Sequence, residues 1–281
     1  MSIPHVRLAA LVLVLSLTAE VRAAPVPVPP ARGGRLWQRA SLNLHQAARQ
    51  ARQIAANRQL GRPARVARVA RAITASLGLF RPRPVLLYQG AFDPVHRGHL
   101  TNLRAALAAV QNVGEVFVVP TSDHPGKNPV PHPHRVAMMR AALADVKLPR
   151  GVKVTVVDDA RLARLDAGGF DDLTGMIHSR RPGAPLYILT GADAFGRAAE
   201  QGLVALARRW GYRYAVTPRA GYELPARLPA GVEVTSMAGG KESSTRIRRQ
   251  LSRGLPATDA LPSTLSYIEQ HGLYGAGRRR P

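Results

Sequence analysis

Six short apolar runs alternating with helical stretches predict an α/β fold, a mainly parallel, doubly wound sheet with helices on both faces. Three observations carry that prediction. The runs at 85–89, 115–120, 152–157, 185–190, 213–217 and 232–236 have strand length and are rich in Val, Leu, Ile and Tyr. The segments between them space apolar residues for helix faces. Finally, 46% of the 281 residues are hydrophobic, enough for a full core in one domain.

Taken in chain order, Val85-Leu86-Leu87-Tyr88 reads as a buried strand, and Leu100, Leu103, Leu107 and Val110 follow at helical spacing. The stretch Gly90-Ala91-Phe92-Asp93-Pro94-Val95-His96-Arg97-Gly98-His99 therefore forms a strand-to-helix turn. Free N–H groups at a helix start attract an anion, and glycine lets a phosphate come close to the backbone. A lone histidine is usually an ordinary loop or core residue. His96 and His99 lie three apart, beside Asp93 and between glycines, and imidazoles donate hydrogen bonds while close to neutral, which suits charge that develops in a reaction.

The second run ends at Val118-Val119-Pro120-Thr121, with Lys127 and a helix beyond it; a later run, Leu186 to Thr190, ends in Gly191-Ala192-Asp193. Both turns fall beyond strand ends, where ligands bind in such sheets. Ser243-Ser244-Thr245-Arg246-Ile247-Arg248 opens a last helix, since Ile247 and Leu251 share a face. A serine there is a normal N-cap, and the hydroxyls with Arg248 one turn in also make a triphosphate cradle. His132 and His134 have no further ligand at metal spacing, and the pairs Asp158-Asp159 and Asp171-Asp172 read as solvated acids.

The pattern G-x-F-D-P-x-H-x-G-H resembles the signature of the H-x-G-H nucleotidyltransferase superfamily, and Ser243 to Arg248 resembles its S-S-T-x-I-R motif. Other stretches are similar to the nicotinate or nicotinamide mononucleotide adenylyltransferases. These are His134-Arg135 with Met138-Met139 (H-R-x-x-M), Gly191-Ala192-Asp193, Val216 to Tyr222 (V-x-x-R-P-G-Y) and the closing Leu261-Pro262 to Tyr274. The resemblance implies a Rossmann-like fold and AMP transfer from ATP to a pyridine mononucleotide, releasing pyrophosphate, in NAD biosynthesis. It implies that His96 and His99 act at the reacting phosphates. Gly90, Phe92, Asp93, Gly98, Lys127, Gly191, Asp193, Ser243, Ser244, Thr245 and Arg248 would surround ATP and its phosphates. Mg²⁺ is expected as cofactor, ligated by phosphates and water rather than by protein.

The acceptor half departs from the family. Where G-P-S-Y-T-x-D-T-L is usual, the chain has Gly168-Gly169-Phe170-Asp171-Asp172-Leu173, and the tryptophan expected after G-A-D is missing. Thr121, Phe170 and Arg219 are the acceptor candidates, Phe170 as a stacking ring. Two other functions stay open: transfer to a different phosphorylated small molecule, and an exported nucleotide-binding protein without catalysis.

The resemblance spans residues 85–275. Ahead of it, residues 1–23 resemble a secretory signal peptide: His5 and Arg7, the apolar run Leu8 to Leu17, then Val21-Arg22-Ala23. ATP-dependent chemistry favours the cytoplasm instead, so the compartment stays open between export, membrane association and cytosol. Residues 24–84 read as a basic Pro/Arg-rich extension with helical segments between Leu36 and Leu79, and 276–281 as a basic tail. Residues 1–84 hold 14 arginines against Glu20 alone, a balance of +13 out of +23 for the whole chain. An anionic membrane surface fits that charge; nucleic acid is not favoured, because few aromatics punctuate the segment. With no cysteine, disulfides and thiolate metal sites are excluded.

Overall fold

The structure, a computed structural model, describes residues 49–54, 61, 64, 68–72, 75, 82–122, 128–219, 221–225, 228, 230–236 and 242–276. The signal-like segment 1–23 and the tail beyond 276 lie outside the described residues. The chain divides into two compact units.

The larger unit, Pro84–Phe170, Leu186–Val204 and Arg213–Pro281, holds a six-stranded sheet. Its strands are β1 Val85–Gly90, β2 Glu115–Pro120, β3 Lys153–Val156, β4 Leu186–Gly191, β5 Arg213–Thr217 and β6 Val232–Val234. All pairings are parallel, in the order β3-β2-β1-β4-β5-β6. The order reverses between β1 and β4, the switch point at which ligands bind in open α/β sheets. The central strands are apolar on both faces, as a doubly covered parallel strand must be: Val85, Leu86, Leu87, Val116, Phe117, Val118 and Val119 are fully buried. The edges are short and polar. β3 carries the exposed Lys153, and β6 pairs over three residues of the 232–236 expected.

Helices α1 Arg97–Ala109, α2 His132–Ala144, α6 Ser244–Ser252 and α7 Pro262–Gln270 share one core with the inward side chains of the sheet. Their apolar stripes place Leu100, Leu103 and Leu107, Met138 and Met139, Ile247 and Leu251, and Ile268 in that core. Pro262 suits the first turn of α7, where no N–H is needed. On the opposite face, α4 Ala192–Glu200 packs Phe195 edge-on against Tyr214, with ring centroids 5.4 Å apart.

The smaller unit combines the described residues before Arg83 with Asp171–Pro185 and Ala205–Tyr212. It contains helical residues 49–54 and 68–72, most of α3 Ala167–Arg180 and part of α5 Leu203–Arg209. Ala51, Ile54, Val69 and Ala72 are buried. Arg49 stacks 3.7 Å over the Trp210 ring and pairs with Asp171 at 2.5 Å. Gln53 bonds both the Thr174 hydroxyl (3.0 Å) and His178 Nδ1 (2.5 Å), while Gln50 accepts from the Gly183 amide at 3.1 Å. Gly183 has φ +73° and faces Ala75 so closely that a side chain would collide with it. The described residues of the basic extension share an interior with residues 171–185 and 205–212, because their apolar positions need a partner surface.

Candidate active site

The glycine-rich turn leaves β1 at the switch point and enters α1 at His96, whose extended backbone (φ −146°, ψ 172°) makes it the N-cap. The His96 amide donates to His99 Nδ1 at 3.2 Å. That fixes the tautomer of His99: Nδ1 accepts, so Nε2 carries the proton. Only one half of a capping box is hydrogen-bonded, because the His99 amide is directed to the His96 carbonyl at 3.0 Å. Among the described residues, the His96 Nδ1 is left buried without a hydrogen bond. The imidazoles stack with centroids 3.7 Å apart, and burial holds both neutral: His96 is pushed down to about 4 and His99 well below the usual range.

Phe92 supports this pair from behind. Its ring lies edge-on to Tyr88 and His99, at 5.1 and 5.0 Å, and covers Gly90, where a Cβ would meet it at 3.0 Å. Phe92 itself sits at φ 47°, a left-handed conformation costly for an aromatic residue and here over-determined by packing.

Asp93 is the junction of the site. Its Oδ1 accepts from the Tyr274 hydroxyl at 2.6 Å and from the Val130 amide at 3.2 Å. Arg248 donates to the Asp93 carbonyl at 2.5 Å and lies 3.5 Å from Oδ2. Burial raises the Tyr274 hydroxyl, so it stays a donor. Beneath lies Arg135, 0% exposed, donating to the carbonyls of Val130 (2.9 Å) and Ala91 (2.7 Å).

The second motif meets the first here. Ser244 Oγ donates to the Pro94 carbonyl at 2.9 Å, and Arg248 reaches Thr245 Oγ1 at 3.4 Å. Ser243 is the N-cap of α6 by backbone geometry, yet its hydroxyl makes no capping bond. This differs from the simple cap expected of it. Across the cavity, Gly191 ends β4 and Asp193 opens α4, its carboxylate 3.3 Å from Arg219 and 3.5 Å from Arg197.

Together these elements enclose a cavity of about 350 Å³. Among the residues expected at the site, it is lined by Phe92, Asp93, His96, Gly98, His99, Gly191, Asp193, Ser243, Ser244, Thr245, Arg248 and Arg219. Arg219, expected with the acceptor, lies beside the ATP candidates, drawn there by Asp193. Gly90 stays under the Phe92 ring, and Thr121 is 1% exposed at the end of β2; neither lines the cavity, nor does the half-buried Phe170. Lys127 lies outside the described residues. Tyr88, Asn102, Thr217 and Glu242 also line it and were not singled out from the sequence. Thr217 shows a faint signal, as a hydroxyl residue ending a central strand.

Comparison with known proteins agrees with this arrangement. Residues 87–250 match the model of the cytidylyltransferase-like family. The chain is 33% identical over 206 residues to a Myxococcus xanthus protein named "Probable nicotinate-nucleotide adenylyltransferase", covering 69% of this chain and 96% of the relative. A Solibacter usitatus protein of the same name is 31% identical, with 67% and 97% covered. The Plasmodium falciparum nicotinic acid mononucleotide adenylyltransferase, solved with NaAD, superposes with a TM-score of 0.55 at 16% identity, covering 70% of this chain and 100% of that one; this likeness carries the fold. The chain thus belongs to the nicotinate-nucleotide adenylyltransferase family, within the cytidylyltransferase-like group.

Proposed function

We propose that the cavity binds ATP and that the enzyme transfers its adenylyl group to nicotinate (or nicotinamide) mononucleotide, a step of NAD biosynthesis. The observation that carries this reading is the convergence of the His96/His99 turn and the Ser243–Arg248 helix start on one cavity, tied by Ser244 and Arg248 to Pro94 and Asp93. The family membership of the chain supports it.

In the reaction, an oxygen of the acceptor's 5′-phosphate attacks the α-phosphorus of ATP. That bond forms as the bond to the bridging α–β oxygen breaks, and pyrophosphate leaves. No covalent enzyme intermediate is needed, because a phosphate is already a nucleophile. The protein's work is to bring two polyanions together and to disperse charge at the α-phosphate. His99 Nε2–H and His96 are the donors at the reacting phosphates, neutral in the empty site and therefore free of a competing ion pair. Ser243, Thr245 and Arg248 take the β and γ groups, joined by Lys127. Gly191 and Asp193 face the ribose side, and Arg219, paired with Asp193, is the one acceptor candidate that lines the cavity. Mg²⁺ arrives on the triphosphate: the Asp93 carboxylate is already engaged by Tyr274, Val130 and Arg248, so phosphate oxygens and water supply the ligands.

The test is ATP-dependent pyrophosphate release with a panel of acceptors. Nicotinate mononucleotide should give the highest kcat/KM. Release only with another phosphorylated small molecule would reassign the acceptor, the altered loop Gly168–Leu173 being the reason to include one. ATP binding with no release for any acceptor would leave a non-catalytic binder.

A further inference from the structure

We infer that Glu242 is a positioning residue, holding a proton on His96 while phosphates occupy the cavity. The inference rests on the ATP-binding reading above. Glu242 immediately precedes the hydroxyl motif and lines the cavity with His96. The two meet across Gly98: a Cβ placed there would lie 3.2 Å from His96 Nδ1 and Cε1 and 3.3 Å from Glu242 Cβ. Both side chains thus crowd the same glycine, which has no Cβ to hold them apart, and among the charges that favour a proton on His96 Glu242 acts most strongly. Both atoms want a partner. Glu242 Oε2 and His96 Nδ1 are each buried without a hydrogen bond among the described residues.

An acid in a cavity built for a polyanion repels its ligand unless a cation offsets it. His99 cannot serve, because its Nδ1 already accepts the His96 amide. His96 has the unspent nitrogen. The groups acting on it divide by sign: Glu242 and Asp259 favour the imidazolium, while Arg219 and Arg246 oppose it, with His99 stacked on the ring. Burial keeps the empty-site imidazole neutral. Bound phosphates add negative charge and offset the arginines, so a proton taken from solvent then sits between two anions, Nδ1–H donating to Glu242 and Nε2–H to phosphate. It returns to solvent when pyrophosphate leaves, and no substrate bond depends on it.

The experiment is NMR of the full-length protein with ¹⁵N-labelled histidine, titrated with and without a non-hydrolysable ATP analogue and Mg²⁺, for wild type, Glu242→Gln and Glu242→Asp. In wild type the analogue should leave both His96 nitrogens protonated at neutral pH. Glu242→Gln should lower the bound-state pKa by about one unit, a tenfold change in the protonation equilibrium, and move the alkaline limb of kcat to lower pH by the same amount. Glu242→Asp should restore most of both. An unprotonated Nδ1 in the bound wild-type protein overturns the inference, even if Glu242→Gln fails to fold. So does an unchanged bound titration in a folded Glu242→Gln. A wild-type protein that neither binds the analogue nor releases pyrophosphate defeats the ATP reading itself, and this one with it; normal binding and turnover with Nδ1 bare defeats this one alone.

Discussion

Replacing His99 with asparagine separates its two nitrogens. An asparagine Oδ1 stands where Nδ1 stands and keeps an acceptor for the His96 amide, a bond of 3.2 Å that anchors the start of α1. Nothing in asparagine reaches the place of Nε2, the only N–H His99 can offer. Loss of one preorganised donor to developing oxyanion charge costs about 10²–10³ in kcat, or roughly 2.7–4 kcal/mol. The fold loses less, because the cap persists and the forfeited contacts are ring edges against Phe92 and the stack on His96. Steady-state pyrophosphate release at saturating ATP and acceptor, beside thermal unfolding of the same samples, makes the comparison. A kcat within tenfold of wild type in a folded His99→Asn protein would refute the donor role, and an equal collapse of Tm and kcat would show that His99 acts through the fold.

Three further outcomes follow from the geometry. Arg135→Met should cost about 3 kcal/mol or more in urea unfolding, since the Ala91 and Val130 carbonyls lose their buried donor; a change under 1 kcal/mol would contradict it. His96 and His178 titrate near 4 and 3 when folded and near 6.5 when unfolded, so the unfolded chain binds protons more readily and stability, full above about pH 6.5, is lost as pH falls from there towards 4 and below. His96 alone accounts for on the order of 3 kcal/mol, and a urea midpoint flat from about pH 7 to 4 would count against the burial of both rings. Gln53→Leu strips two hydrogen bonds, to Thr174 and His178, and should cost about 1–3 kcal/mol, read as faster amide exchange in residues 171–180; unchanged exchange there would mean the 49–54 helix contributes little.

The strands were legible because parallel, doubly covered strands are continuous apolar runs; β1, β2, β4 and β5 fall within a residue of expectation. The two motifs were legible because a helix start after a strand has a local signature. Their meeting was not, since Ser244 to Pro94 spans 150 positions and only the folded sheet joins them. Arg135 illustrates a different limit. Helical spacing does not show that two loop carbonyls wait for it, so its enclosure is visible only in the fold. Glu242 was missed for the same reason: no spacing ties it to His96, and their shared packing against Gly98 is visible only in three dimensions. In the basic extension, net charge masked the few apolar residues, Ile54 and Ala72 among them, that decide its packing.

The junction at Asp93 also has a bearing on biosynthesis. Two of its clamps arrive late, Arg248 155 positions and Tyr274 181 positions downstream. A chain emerging from the ribosome displays the histidine turn long before either anchor exists. Nucleotide therefore has no finished site to stabilise in the nascent protein, and only a polypeptide extended past Tyr274 gains protection from ATP.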